Sequence, residues 1–231
     1  MVPCLQSWWS VRWLVISSAL AIAACADDPG LILDVPPGDH PGFTGLTLDF
    51  VTDTALPAQL GTGLRIEDIY LNGAVIRAVG DATTQDEQPT TRHDLALHWA
   101  AGVEPADLSF AAAPAGEYSY VELRIAGQPE APRPESFAVR GQVRDGHFGE
   151  WTDFVIRADA ATVVAAVPAA RQLEAGRPLT IRLELIVSRL LAGIDWAALP
   201  EGDGGALVLD EETPDELARF CAALGGAFQA H

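Results

Sequence analysis

The chain has 231 residues, with 14 basic residues set against 32 acidic ones, a formal net charge of −18. A surface that acidic repels nucleic acid and anionic lipid headgroups, so nucleic-acid binding is not expected. The length suits one good hydrophobic core, and three cysteines are too few for a disulfide framework.

The first element is apolar. Arg12 precedes an uncharged run from Trp13 to Ala24. The run is about as long as a signal-peptide core and falls short of the roughly 20 residues of a membrane-spanning helix. It closes on small residues at Cys25, and the polar Ala26-Asp27-Asp28-Pro29-Gly30 follows. Ile22-Ala23-Ala24-Cys25 resembles the lipobox of bacterial lipoproteins: an aliphatic residue, two small residues, then the cysteine. The resemblance implies export, diacylglycerol transfer to the Cys25 thiol, cleavage between Ala24 and Cys25, and acylation of the new terminus. Each methylene buried in a bilayer contributes about 0.8 kcal/mol, so several acyl chains hold where one would not. The alternative is an ordinary secretory signal cut at an A-x-A site ending at Ala23, with Cys25 incidental. Ala26, where Asp would stand in an inner-membrane protein, resembles lipoproteins sorted to the outer membrane of Gram-negative bacteria.

The expected organisation is a signal peptide over 1–24, a lipidated Pro/Gly-rich tether over 25–42, and one domain over 43–231. Leu31-Ile32-Leu33 could add a short strand to that domain, and His40 reads as a solvated tether residue. Loss of the signal removes Arg12 and Cys4, leaving 13 arginines against 32 acids, a charge of −19. Cys221 is then the one cysteine besides the lipid site.

Beyond residue 43 the dominant period is two. Leu46, Leu48 and Phe50 alternate with polar residues, as do Leu95, Leu97 and Trp99, then Val121, Leu123 and Ile125, then Phe137 and Val139 with Val143 continuing. The cleanest run is Leu179 to Val187, with Thr180, Arg182 and Glu184 outward. Such alternation marks strands with one face in a core and one in water. Less regular strands are expected near Ile66–Val79, Phe154–Ala158 and Thr162–Val167. Breaks are expected at Pro57–Gly63, Gly80–Asp94, Gly127–Ser136 and Arg144–Gly149, the last carrying an Asp145-Gly146 tight-turn signal. Eight or nine short strands without alternating helices predict a mainly β fold, an antiparallel sandwich.

One helix is expected at the end. Thr213-Pro214-Asp215-Glu216 reads as a capping box, Leu217, Phe220, Cys221 and Leu224 form an apolar stripe, and Gly225-Gly226 stops it. On that stripe Cys221 reads as a small core hydrophobe. A second short helix could start at Asp195, ahead of Trp196 to Leu199.

No reaction motif follows. G-x-S-x-G and H-E-x-x-H are both absent. His93 and His98 are five apart, which on a regular strand puts them on opposite faces, and a dispersed metal site with His147 would need the fold to converge them. The acids Asp210, Glu211, Glu212, Asp215 and Glu216 lie at a helix N-terminus and match no calcium loop. Glu201-Gly202-Asp203-Gly204-Gly205 reads as a turn. Glu150 and Asp153 flank Trp151 but, three apart on a strand, do not converge as a glycosidase pair. Trp99, Trp151 and Trp196 could offer a stacking surface, although Trp99 shares the apolar face of its strand.

Pro114-Ala115-Gly116-Glu117-Tyr118, with the strand to Ile125, resembles the P-A-G-x-Y turn-and-strand of bacterial lipoproteins with an immunoglobulin-like sandwich domain of no assigned function. A similar P-G-x-Y element occurs in periplasmic proteins paired with di-haem peroxidase-like partners, some implicated in copper handling. Neither resemblance implies catalytic residues. The expectation is a lipid-anchored cell-envelope protein with an immunoglobulin-like sandwich, acting as a non-catalytic binding or structural module. Its partners would be the membrane, through the lipid, and an envelope protein or small molecule, with no cofactor. The alternatives are a periplasmic metal- or redox-associated partner protein, and an enzyme with a dispersed active site.

Overall fold

A computed structural model describes residues 45–81, 89–144 and 149–231, all within one compact unit. The expected signal, Cys25 and the tether lie outside the described residues, as do Asp145-Gly146 and His147. The chain is mainly β, with two sheets and a short terminal helix. The strands are β1 (Leu46–Thr52), β2 (Ala58–Leu60), β3 (Leu64–Gly80), β4 (Thr91–Ala100), β5 (Leu108–Phe110), β6 (Gly116–Ala126), β7 (Phe137–Arg144) and β8 (Trp151–Ala158). They continue with β9 (Thr162–Leu173), β10 (Leu179–Leu185), β11 (Leu207–Leu209) and β12 (Phe228–Ala230). The helices are α1 (Val187–Leu190) and α2 (Pro214–Gly225).

One sheet runs β12-β10-β1-β5. The other runs β11-β8-β7-β3-β6-β9, with β2 and β4 also paired to β3. The alternating residues read from the sequence fill the core: Leu46, Leu48, Ile69, Leu71, Leu97, Val121, Leu123, Ile125, Phe137, Val139, Ile181 and Leu183 all have no exposed area. Side chains from both sheets join one hydrophobic cluster, so the sheets share a single core.

β3 is the organising strand. Its first half pairs with β7 (Leu71 opposite Phe137) and its second half with β6 (Gly73 opposite Ile125), while β4 follows its other edge from Asp68 to Arg77. The change of partner falls at Asn72 and Gly73. The Asn72 amide donates to the Ser136 carbonyl at 2.9 Å, and the Ser136 amide and hydroxyl donate to the carbonyls of Ala158 and Ala161, each at 2.7 Å. Gly73 has no room for a side chain, because a Cβ there would sit 2.8 Å from the Leu95 carbonyl oxygen. A second irregularity lies between Ile66 and Asp68, where an extra residue on β3 shifts the register against β7. There a Cβ on Gly141 would fall 2.0 Å from the Arg65 carbonyl oxygen, so only glycine allows the approach.

Several expectations need correction. The fold is not wholly antiparallel: β1 pairs parallel with β10, and β11 with β8. β1 and β10 lie far apart in sequence, so no hairpin sets their direction. β3, with 17 residues, is long rather than short. The expected break at Pro57–Gly63 holds β2, in a hairpin with β3. Asp94, assigned to a loop, lies within β4 with φ 58°. The strand from Leu179 stops at Leu185, because an Asp53 carboxylate oxygen accepts the Val187 amide at 3.0 Å and starts α1.

α2 occupies the expected span and buries Phe220 and Leu224, with Phe220 5.0 Å from the Phe137 ring. The capping box does not form. The Thr213 hydroxyl donates to the Asp210 carbonyl at 3.0 Å and accepts the Asp210 amide at 3.1 Å, and Glu216 pairs with Arg219 at 2.6 Å. A turn at Asp210–Thr213 has claimed the hydroxyl the cap would need. At Asp195 the chain makes one 3₁₀ turn, Trp196–Ala198, again without a side-chain cap.

The Pro114–Tyr118 element is a buried anchor. Tyr118 is 1% exposed, and its hydroxyl donates to the Pro114 carbonyl at 2.8 Å, closing the turn onto the strand it begins. Burial, with the nearby Asp81 charge adding to it, raises the Tyr118 phenol above its ordinary value. Tyr118→Phe leaves the Pro114 carbonyl without that donor. Urea unfolding should show a loss of about 1–2 kcal/mol with an unchanged slope.

Candidate functional site

The densest polar cluster lies on the outer face of the larger sheet, where the extra residue near Glu67 leaves Asp68 and Tyr70 pointing away from the buried Ile66, Ile69 and Leu71. His98, on β4 opposite Tyr70, places Nε2 2.7 Å from Asp68 Oδ2. The connection between β6 and β7 lays Arg133 across this face. Its guanidinium carbon sits 3.9 Å from the Tyr70 ring centre, its Nε donates to Glu135 Oε1 at 2.9 Å, and its Nη1 is 3.7 Å from Asp68 Oδ1. The Tyr70 hydroxyl donates to the Arg133 carbonyl at 3.4 Å, and the Tyr70 and His98 rings meet edge-on at 6.1 Å.

Burial raises the Tyr70 phenol above its ordinary value, and Glu135 adds to this while Arg133 opposes it. At Glu135 burial acts upward, but a backbone hydrogen bond, the Arg133 guanidinium and the charges of Arg133 and Arg140 outweigh it and lower the carboxyl. Among the described residues no hydroxyl or thiol is hydrogen-bonded to His98, so the Asp68–His98 pair has no nucleophile to activate. The cluster is suited to holding the β6–β7 connection down and to binding through hydrogen bonds and charge.

The residues singled out from sequence scatter. His93 is exposed and at an odd spacing from His98, which faces Asp68. Among the described residues no group of three His, Cys, Asp or Glu could hold a metal ion. Asp153 accepts from Gln142 at 2.9 Å, and Glu150 stands exposed ahead of β8. Of the three tryptophans, Trp99 is in the core, Trp196 packs on Phe154 at 4.7 Å, and Trp151 lies beneath two arginines, so they share no surface. The acids before α2 bind locally: Glu211 accepts the Asp159 amide at 2.7 Å, and Asp210 lies 3.6 Å from Arg157.

Cys221 packs against the core from α2, and burial pushes its thiol up. On the smaller sheet Asp49 pairs with Arg182 at 2.8 Å, and burial, then the neighbouring Asp49 charge, raises Asp107. Sequence reasoning reached His98 but missed Asp68, Tyr70, Arg133 and Glu135. The only trace of them in the sequence is the pair of polar-capable positions alternating with Ile69. Among the described residues no helix is long and apolar enough to cross a membrane. Comparison with protein-family models, curated proteins and solved structures found no match.

Two outcomes follow. The folded Glu135 carboxyl titrates below its unfolded counterpart, so its stabilisation is present above the unfolded range and lost as pH falls through the folded value. Glu135→Gln should therefore narrow the gap in melting temperature between about pH 7 and about pH 3, read by circular dichroism. Alkylation followed on the Cys221 peptide should be slower in the folded protein than for a free thiol, and should accelerate on unfolding in urea.

Proposed function

We propose that this protein is a lipid-anchored cell-envelope protein whose body is an immunoglobulin-like β-sandwich serving as a non-catalytic binding module. The observation that carries the reading is the outer face of the larger sheet. Its polar groups are arranged as ion pairs and ring contacts on an open surface, with no activated nucleophile among the described residues. The two hollows described, about 260 Å³ and 520 Å³, are lined mainly by alanines in one case and by Pro57, Gln59, Arg65, Glu67 and Ala101 in the other. Neither gathers a pair of titratable groups of the kind acid–base catalysis uses. The immunoglobulin-like assignment is supported by two sheets around one core and by the Tyr118 hydroxyl reaching back to the Pro114 carbonyl, the arrangement of a tyrosine corner. The anchor rests on Ile22-Ala23-Ala24-Cys25, and the envelope, at the outer membrane, is the compartment that motif and Ala26 support.

Intact mass of the membrane-bound protein tests this. The wild-type chain should begin at Cys25 and carry acyl mass, while Cys25→Ser should be unprocessed or released. A wild-type protein that starts after Ala23 without lipid overturns the anchor.

A further inference from the structure

The cluster around Asp68 does not account for the arginines beside it on the same face. Trp151 on β8 carries two guanidiniums, with the Arg65 and Arg144 carbons 4.6 and 4.7 Å from its ring centre. The two cations can be no farther apart than those distances laid end to end, so they repel each other. Their hydrogen bonds are to neutral acceptors: Arg65 Nη1 to Gln142 Oε1 at 3.0 Å, and Arg144 Nε to the Thr62 carbonyl at 2.5 Å. Among the described residues neither has a carboxylate within ion-pair distance, whereas Arg77, Arg133, Arg157 and Arg182 each do. Arg140, exposed and two positions before Gln142, adds a third cation to the face. Among the described residues, then, Arg65 and Arg144 place two cations without a carboxylate ion pair at one tryptophan on this face.

The same patch holds groups of another kind. Asp153, opposite Gln142, accepts its amide at 2.9 Å and is exposed, and the exposed Glu67 lines a hollow together with Arg65. A carboxylate beside the cations disfavours a densely charged ligand and favours one that also donates hydroxyls. The net charge works the same way: the acidic body repels a densely charged anion more than a ligand that carries its charges one to a sugar, and salt screens that repulsion over about 8 Å.

Building on the binding-module reading, we propose that this face binds an acidic saccharide. A sugar carboxylate is held by the Arg65 and Arg144 guanidiniums at the edge of Trp151, and ring hydroxyls bond to Gln142 and Asp153. Planar guanidiniums match a carboxylate in a two-bond fork.

Calorimetric titration of the purified full chain with trigalacturonate, its methyl ester and inorganic phosphate tests the assignment. Trigalacturonate should bind and weaken with added salt, and the ester and phosphate should bind at least about tenfold more weakly. Arg65→Gln and Arg144→Gln should each cost about tenfold or more, while Arg92→Gln on β4 should leave affinity unchanged. Arg144→Lys, which keeps the charge and loses the fork, should fall between. Equal binding of acid and ester, equal binding of phosphate, no binding at all, or indifference to both glutamine variants overturns the proposal. Loss of binding in a chain acylated at Cys25 counts against the saccharide alone; binding by an unacylated chain counts against the anchor alone.

Discussion

The larger sheet depends on one strand carrying two sets of partners. β3 is long enough to pair with β7 and then with β6 along one edge, and β4 splints the point of change along the other. The physical constraint is at Asn72 and Gly73, where the backbone must hand its hydrogen bonds from one neighbour to the next. Ser136 accepts the Asn72 amide and is itself tied to the β8–β9 connection through Ala158 and Ala161. The handover is therefore braced on both sides, and a side chain at Gly73 would collide with the Leu95 carbonyl on the splinting strand. The strand that organises the sheet also organises the candidate site.

That coupling follows from the irregularity near Glu67. In a regular strand Arg65 and Asp68 would point to opposite faces; the extra residue puts them on the same one. Arg65 then joins Arg144 at Trp151, and Asp68 joins His98 and Arg133 a few residues along. The outer face acquires a basic, aromatic half and an ion-paired half, separated by Arg140. In the ion-paired half, Arg133 holds the β6–β7 connection against Tyr70 and Asp68.

The period-two runs made most of the long strands legible, because burial of one face leaves its mark on every second residue: Leu46 to Phe50, Val121 to Ile125 and Leu179 to Leu185 all stand where alternation puts them. The three-residue strands β2, β5, β11 and β12 are too short to carry a period, and β5, β11 and β12 are placed by neighbours distant in sequence. The parallel pairings are silent for the same reason. α2 was legible from its stripe, but its cap was not, because Thr213 had a competing turn at Asp210. Of the ion-paired half only His98 stood out, and of the basic half only Trp151 and Asp153. A bulge flips the faces that follow it without altering composition, so the convergence of Arg65 with Trp151, or of Asp68 with Arg133, could not be read from spacing. The immunoglobulin-like class and the lipid anchor remain readings carried by Tyr118 and by the residues around Cys25.

Whether β3 binds the β7–β8 and β6–β9 pairs into one cooperative body is tested most directly by native-state hydrogen exchange resolved on β6 and β7. Amides of both strands, such as Leu123 and Val139, should exchange only through one shared global opening and respond equally to added urea. Exchange of β6 and β9 through a separate opening of lower free energy, with β7 and β8 still protected, would contradict it.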